Sequence, residues 1–250
     1  MQPLLTGRPE RLAILDYGLF EVNAGPRTIG ICGYAIRTDA GEVVLIDTGF
    51  PPKYAADAEA ATREDDLGSF GRVLSITPEN MAPAQLDLLG ITPGDVDLMI
   101  QTHTHIDHIG HMDGFPGAPI LIAAAERALP RPLYWSGKQM MDWPEADYRQ
   151  VTGDFDLGPG FEILLVPGHA PGQLAMLIEL PQTGPVLLTS DAISRASEID
   201  EQFAGSWDED LAIRHGARLM ALAKDRGAWV IYGHSPEQWP RLRKAPEWYL

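Results

Sequence analysis

The sequence lacks the cysteines that would build a disulfide framework or a thiolate metal site. Its single cysteine, Cys32, lies in the apolar run TIGICGYAI, where a free cysteine usually serves as a small buried hydrophobic side chain. A thiolate cage needs several sulfur atoms. A metal ion bound by this chain must therefore be held by histidine and carboxylate ligands.

Long apolar runs are also absent. No stretch approaches the roughly 18 consecutive apolar residues that cross a bilayer. The opening segment MQPLLTGRPERL is interrupted by Pro3, Arg8, Pro9 and Arg11 before a signal-like run develops. We therefore expect a cytoplasmic protein with no membrane partner.

Basic residues are few, because 19 Lys and Arg stand against 35 Asp and Glu, for a formal net charge of −16. Binding to nucleic acid and to anionic membranes depends on Lys and Arg that neutralise phosphate, so both are unfavourable partners. A neutral or weakly charged small molecule fits better. The 250 residues, 45% of them hydrophobic, can bury a substantial core, and we expect one domain over residues 1–250.

The spacing of apolar residues predicts a mixed α/β chain. Short Gly/Pro turns between neighbouring elements favour sheets packed together and covered by helices, which is an αββα sandwich. The first three strands should form a β-meander, since a Thr-Asp-Ala-Gly turn joins the second to the third. The predicted strands are Leu12–Tyr17, Thr28–Arg37, Glu42–Asp47, Asp97–Thr102, Ile120–Ala123, Phe161–Val166, Leu174–Leu180, Val186–Thr189 and Trp229–Tyr232, and the predicted helices are Tyr54–Arg63, Ala84–Leu89 and Asp208–Lys224.

The segment Thr102–His111 carries a cluster of metal-competent side chains. Four of them, His103, His105, Asp107 and His108, fall within six residues. In an extended backbone His103 and His105 point to the same side, so both imidazoles can reach one ion. A turn after His105 would swing Asp107 and His108 toward a second ion. Both ions still lack ligands, because a zinc site takes about four donors.

Three later positions can supply the missing donors. His169, Asp191 and His234 each follow a predicted strand, and Gly168 and Gly233 beside the two histidines let the backbone turn tightly. A lone His-x-His is more often incidental than metal-binding, but all seven residues at strand ends are hard to attribute to chance. Nitrogen and carboxylate ligands suit zinc, and also iron, manganese or cobalt.

His-x-His-x-Asp-His followed by distant His, Asp and His resembles the signature of the metallo-β-lactamase superfamily, and the similarity extends over most of the chain. It includes the run Leu45–Gly49, which is similar to the family's early Asp-Thr-Gly motif, where the aspartate, here Asp47, orients a metal ligand. The resemblance implies two divalent ions. His103, His105 and His169 would hold one, Asp107, His108 and His234 the other, and Asp191 would bridge them.

A bridged pair of ions implies a hydroxide held between them, because a bound ion lowers the pKa of water toward about 7. The hydroxide would attack a carbonyl, while Asp107 is the candidate to carry a proton to the leaving group. The length, the ligand pattern with bridging Asp191 and the Trp207–His234 region are most similar to N-acyl homoserine lactone lactonases. This resemblance implies lactone ring opening, and thus a quorum-quenching activity.

One position departs from the family pattern. Lactonases of this group often carry a tyrosine three positions after the bridging aspartate, contacting the substrate carbonyl, and Ser194 stands there. Either water or another side chain completes that contact, or the substrate differs from the usual lactone. Tyr232, Tyr134 and Lys138 are the candidate substitutes.

Three other features are open to ordinary structural interpretations. The segment Leu133–Trp143, which includes Trp135, could line an acyl-chain pocket, or it could be core or an interface in a homodimer. His215 shares a predicted helical face with leucines and is expected to be a hydrogen-bonded core histidine. His111 is expected to face solvent or to support a ligand.

The metal ligands alone leave other activities open. A hydrolase on the same scaffold could act on another lactone, a thioester, a β-lactam or a phosphoester, because substrate choice lies in the loops around the site. The acidic charge disfavours a nucleic-acid processing enzyme, and the open water position disfavours a non-catalytic metal-binding module.

Overall fold

The strands form two sheets, and the helices lie outside them. A computed structural model describes residues 3–135, 138 and 141–250. The elements are β1 (Pro9–Val22), β2 (Arg27–Thr38), β3 (Val43–Ile46), α1 (Lys53–Ala56), α2 (Ala58–Asp65), β4 (Gly71–Ser75), α3 (Ala82–Asp87), β5 (Leu98–Ile100), β6 (Ile120–Ala123), α4 (Ala124–Arg127), β7 (Tyr148–Val151), β8 (Phe155–Gly158), β9 (Phe161–Leu165), β10 (Leu174–Leu180), β11 (Gly184–Leu188), α5 (Glu209–Arg226) and β12 (Trp229–Ile231). Short 3-10 helices lie at Leu67–Ser69, Pro78–Asn80, Pro93–Asp95, Ser190–Ile193, Ala196–Glu198 and Trp239–Arg241.

Both sheets are mixed. The seven-stranded sheet has the order β4-β1-β2-β3-β5-β6-β7, and the five-stranded sheet has the order β12-β11-β10-β9-β8. β1, β2 and β3 pair antiparallel, which confirms the predicted meander, whereas β3, β5, β6 and β7 run parallel. In the second sheet β8 to β11 are antiparallel, and β12 joins β11 in parallel.

The core lies in three layers, because alternate side chains of each strand point to opposite faces. Between the sheets, Ile14 and Ile100 pack with Ile163 and Met176. The outer face of the larger sheet packs against α1, α2 and α3, and the outer face of the smaller sheet packs against α5. This arrangement confirms the αββα sandwich.

Four elements were not predicted from the sequence: β4, β7, β8 and α4. The strands β4 and β7 lie at the edges of the larger sheet, and both expose residues along much of their length. Their sequences therefore lack the apolar alternation that marks a buried strand. α4 is only four residues long, too short to show a helical period.

The predicted helix Tyr54–Arg63 is divided at Asp57. Asp57 has an extended backbone, with φ at −154°, and its side chain accepts a hydrogen bond from Ala60 N. It therefore caps the N-terminus of α2 instead of continuing α1. The apolar spacing carried no sign of this break.

α5 turns a different face to the core from the one predicted. Its buried residues are Ala212, Gly216, Leu219 and Ala223. The Phe203 ring packs directly on the helix at Gly216, where a Cβ would lie 2.3 Å from the ring, so this face points inward. His215 is half-buried, and its Nδ1 makes no hydrogen bond with the described residues. The prediction that His215 is a hydrogen-bonded core residue is therefore wrong. No helix in the described ranges is long and apolar enough to span a membrane.

Leu219→Ala should lower the free energy of unfolding by about 2–5 kcal/mol, because the leucine is fully buried between α5 and the smaller sheet and its loss leaves a cavity. Urea denaturation followed by circular dichroism measures this change. His215→Ala on the same helix serves as the control and should change stability by much less. Equal losses in the two variants would contradict this packing.

Candidate metal centre

The seven metal-competent residues lie where strands end on one edge of the sandwich. The loop after β5 carries His103, His105, Asp107 and His108, and the loop after β9 carries His169. Asp191 lies in the 3-10 helix after β11, and His234 follows β12. The carboxyl ends of these strands meet at this edge, which explains why residues distant in sequence converge.

Three imidazoles form the first group. His103 Nε2 lies 3.0 Å from His105 Nδ1, and His169 Nε2 lies 2.9 Å from the same Nδ1. A tetrahedral zinc ion with Zn–N distances of about 2.0–2.1 Å places its ligand atoms roughly 3.3 Å apart. The three nitrogen atoms are therefore spaced like ligands that share one ion.

Asp107, His108 and His234 form the second group. Asp107 Oδ2 lies 3.4 Å from His234 Nε2 and 3.8 Å from His108 Nε2. The ligand atoms of this group all lie within 4.8 Å of one another. This spacing also suits a single cation.

Asp191 lies between the two groups and turns one oxygen toward each. Its Oδ2 is 3.4 Å from His169 Nε2 and 4.0 Å from His103 Nε2. Its Oδ1 is 3.1 Å from His234 Nε2 and 3.6 Å from His108 Nε2. The carboxylate can thus contribute a ligand to both positions.

Several buried ligand atoms of the centre lack a hydrogen-bond partner among the described residues, which shows whether the donor set fits a cation. His108 Nε2, His234 Nε2 and Asp191 Oδ1 are buried, and none makes a hydrogen bond with the described residues. His234 Nε2 and Asp191 Oδ1 are close, but they are not oriented for a hydrogen bond. A buried polar atom without a partner costs about 1–3 kcal/mol. A divalent cation would satisfy all three atoms, so the donor set fits a metal.

Burial controls the protonation of the three-imidazole group. Burial, together with the neighbouring His169, lowers the pKa of His105 to about 3. Burial also lowers the pKa of His103 and of His169. These imidazoles are therefore neutral near pH 7, and their lone pairs are free to bind a cation.

The second group has the opposite balance. Burial alone would lower the pKa of His108 and His234, but nearby carboxylates outweigh it, and the pKa of His234 rises to about 9. Burial would raise the pKa of Asp191, yet His234 and His108 hold it well below its usual value. A cation bound here would replace these protons as the partner of the carboxylates.

Asp47 fixes the His108 ring. It directly follows β3 and has a left-handed conformation, with φ at 58°. Its Oδ2 lies 2.8 Å from His108 Nδ1 and accepts from Thr102 Oγ1 at 2.7 Å. Its Oδ1 accepts from Thr102 N and from Gln101 Nε2. With Nδ1 held by this carboxylate, His108 can present only Nε2 to the centre.

The other late histidine, His234, is held by the backbone. Its Nδ1 lies 2.9 Å from the Gly30 carbonyl oxygen of β2. Beside it, a Cβ at Gly233 would lie 2.6 Å from Ser190 O and 2.7 Å from Asp191 Oδ1. Glycine at this position therefore leaves room for the backbone of Ser190 and the carboxylate of Asp191.

A cavity of about 1040 Å³ opens over the centre. Asp107, His105, His169, Asp191 and His234 form part of its floor. The apolar wall consists of Phe20, Val22, Ile29, Phe50, Leu67, Phe70, Ile106 and Trp135, and the polar wall includes Ser194, Arg195, Ser197, Glu198, Glu201 and Glu237. The cavity can therefore hold a small molecule with an apolar part and a polar part.

Of the predicted substrate contacts, Ser194 and Trp135 line this cavity, whereas the others do not. The Tyr134 hydroxyl donates to Asp65 Oδ2 at 3.0 Å. Lys138 Nζ lies 3.5 Å from Asp66 Oδ2.

Tyr232 packs against the apolar cluster beneath α5. Its phenol is therefore not part of the cavity wall either. The predicted pocket segment also includes positions 136, 137, 139 and 140, which lie outside the described residues.

Sequence reasoning missed most of the cavity wall. Phe20 and Arg27 come from the β1–β2 hairpin, and Glu198 and Trp207 from the segment before α5. Trp207 is 60% exposed, which is unusual for a side chain of its size. These positions share no local motif, and only the fold brings them together.

A model of the metallo-beta-lactamase superfamily matches residues 33–239. The N-acyl homoserine lactonase AiiA of Bacillus thuringiensis subsp. kurstaki is 33% identical over 224 residues, which cover 86% of this chain and 85% of the relative.

Two solved structures are similar over almost the whole chain. A mutant of Bacillus thuringiensis AiiA with bound N-decanoyl-L-homoserine has a TM-score of 0.85 and 27% identity, covering 97% of this chain and 100% of the other. An N-acyl homoserine lactone hydrolase with the product N-hexanoyl-L-homoserine at its catalytic metal center has a TM-score of 0.85 and 26% identity, with the same coverage of both chains.

Gly233→Ala should reduce the metal content of the purified protein, because the added methyl group would strike Ser190 O and Asp191 Oδ1. Elemental analysis by mass spectrometry measures the bound ions. Gly153→Ala is the matched control, since a Cβ there meets no atom within 4 Å. Wild-type metal content in Gly233→Ala would contradict the proposed closeness of Asp191 to the ions.

Proposed function

Because the chain belongs to the metallo-beta-lactamase superfamily, we propose that it is a dinuclear metal hydrolase that opens the lactone ring of N-acyl homoserine lactones. The observation that carries this proposal is Asp191, whose two oxygens face two separate groups of ligands. The names of the similar proteins, and the acyl homoserine products bound in two of them, support the choice of substrate.

In this proposal each position takes one divalent ion. His103, His105 and His169 would hold the first, Asp107, His108 and His234 would hold the second, and Asp191 could contribute one oxygen to each. Zinc is the proposed metal, since it prefers nitrogen and carboxylate ligands at this spacing, and iron, cobalt or manganese could occupy the same donors. The chemistry supplied by such a pair is Lewis acidity, which activates water near neutral pH and polarises a carbonyl oxygen.

Asp107 is the proposed proton carrier. Its carboxylate lies at the cavity floor and is 18% exposed, so it can reach both the centre and a bound substrate. When the ring C–O bond breaks, the oxygen that leaves carbon needs a proton, and a carboxylate at this position can take that proton from the attacking water and pass it to the leaving oxygen. Asp191 keeps the ligands of both groups in place during this step.

Ser194 is the proposed contact for the polar end of the substrate. Its backbone is fixed, because Ser194 N donates to Glu198 Oε2 at 2.6 Å and Ser194 O accepts from His234 N at 2.8 Å. Its hydroxyl lines the cavity and forms no hydrogen bond with the described residues. It can therefore donate to a carbonyl oxygen, directly or through a water molecule.

The apolar wall is the proposed site for the acyl chain. The Phe70 ring lies 4.8 Å from the Trp135 ring and 5.8 Å from the Phe20 ring, and Ile106 continues this surface to the centre. An alkyl chain along these side chains would be removed from water. The net charge of −16 also supports a neutral small substrate over nucleic acid.

Purified protein loaded with zinc should release one acid equivalent per N-acyl homoserine lactone opened, as measured by pH-stat titration. Asp191→Ala and His169→Ala should lower the metal content and reduce turnover to the rate in buffer alone. His215→Ala should keep wild-type activity, since His215 lies outside the cavity. If acyl homoserine lactones stayed intact while a thioester, a β-lactam or a phosphoester was cleaved, the substrate assignment would be wrong.

Phe70→Ala should raise KM for N-decanoyl homoserine lactone by about 10-fold or more, because truncating an apolar contact of this size loses roughly 1.5–3 kcal/mol. KM for the N-butanoyl substrate should change much less, since its chain is too short to reach the wall fully. Leu88→Ala is the control, because Leu88 is exposed and lies outside the cavity. Equal effects on both substrates would argue against this acyl site.

A further inference from the structure

Glu126 is a fully buried carboxylate that the proposed chemistry does not use. It lies on α4, which directly follows β6, and it does not line the cavity over the centre. A buried carboxylate is costly unless its oxygens accept hydrogen bonds. The two groups that bond to it lie on different ligand-bearing loops.

The first partner is Thr104, the residue between His103 and His105. Thr104 Oγ1 donates to Glu126 Oε2 at 2.5 Å, a length typical of a hydroxyl bonded to a carboxylate. The same oxygen accepts from Leu133 N at 2.9 Å. The Thr104 side chain is therefore held on two sides.

The second partner is Gly172, three residues after His169. Gly172 N donates to Glu126 Oε1 at 3.2 Å. The loop packs closely on α4 here, because a Cβ at Gly172 would lie 2.6 Å from both Ala123 Cβ and Glu126 Cγ. Each oxygen of Glu126 thus holds one of the two loops that carry the first group of imidazoles.

One backbone contact joins these loops independently of Glu126, since Leu174 N donates to Thr102 O at 2.8 Å. One such contact leaves two loops free to rotate about it. The bonds from Thr104 and Gly172 to Glu126 add a second point of attachment, nearer to His105 and His169. Two points fix the relative orientation of the loops, and hence the 2.9 Å separation of their ring nitrogens.

Backbone hydrogen bonds to Tyr134 hold the residues on either side of His105. Tyr134 N donates to Thr104 O at 2.9 Å, and Ile106 N donates to Tyr134 O at 3.1 Å. These bonds bracket His105 but make no contact with the loop of His169. Among the described side chains outside the metal centre itself, Glu126 is the one that hydrogen-bonds to both loops.

On the basis of the proposed dinuclear function, we infer that Glu126 is a positioning residue for the three-imidazole metal position. Acting through Thr104 and Gly172, it sets the distance between His105 and His169. The second position depends on different supports, Asp47 for His108 and the Gly30 carbonyl for His234. Loss of Glu126 should therefore weaken the binding of one ion and spare the other.

The test is Glu126→Gln, which keeps the shape of the side chain but leaves one acceptor for two donors. Metal-free protein is titrated with Co²⁺, and the visible absorption of the bound ion is recorded together with the number of ions bound. The band that His169→Ala removes identifies the three-imidazole position. Glu126→Gln should bind the ion at that position about 10–100-fold more weakly, the usual effect of losing a residue that supports a ligand.

Matched variants separate positioning from general destabilisation. Glu42→Gln makes the same chemical change in a carboxylate that accepts from Thr38 Oγ1 and from Gly7 N, away from the centre, and it should bind both ions as wild type does. Thr104→Val removes the hydroxyl and should reproduce the loss, whereas Thr104→Ser keeps the hydroxyl and should restore it. Melting of the metal-free proteins reports stability independently.

Wild-type affinity for both ions in Glu126→Gln would overturn this inference, and so would equal weakening of the two. If the wild-type protein itself bound no Co²⁺, the proposed function would fail as well. A wild-type protein that binds two ions while Glu126→Gln behaves identically would refute the role of Glu126 alone.

Discussion

The structure depends on one electrostatic constraint, namely that nitrogen and carboxylate donors face one another inside a buried centre. Three buried ligand atoms, His108 Nε2, His234 Nε2 and Asp191 Oδ1, make no hydrogen bond with the described residues, and such atoms are costly in a dry interior unless a cation lies between them. Asp191 supplies negative charge to both groups, and the surrounding loops hold every donor in its direction. The centre is therefore a set of ligands arranged for cations rather than a self-sufficient hydrogen-bond network.

The sandwich satisfies this constraint because the apolar layers stabilise the fold, while the candidate ligands lie in the loops at the strand ends. Three apolar layers hold the strands in fixed register, so the loops at their ends start from rigid positions. The supports of the ligands come from other strands: Asp47 ends β3, Gly30 lies in β2, and Glu126 follows β6. The centre is thus built from both sheets, and neither sheet could form it alone.

The cavity has a floor of candidate metal ligands, an apolar wall and a polar wall. The floor contains the donors, the apolar wall offers contact for a chain, and the polar wall carries Ser194 together with the ion pairs of Arg195 with Glu198 and Glu201. Residues of the walls come from hairpins and loops, which can vary without disturbing the ligands. The candidate ligands accordingly indicate metal-dependent chemistry, and the walls are the part of the cavity that would select a small molecule.

The sequence by itself indicated the architecture and the first four candidate ligands, because both leave local signals. His103, His105, Asp107 and His108 fall within six residues, and alternating apolar residues mark the buried strands. Edge strands such as β4 and β7 gave no such signal. The half-buried position of His215 follows from the packing of Phe203 on the neighbouring Gly216, which turns the Gly216 face of the helix inward. Only the tertiary structure decided that Tyr134 bonds to Asp65 instead of lining the cavity, since a side chain's direction depends on neighbours that are remote in sequence.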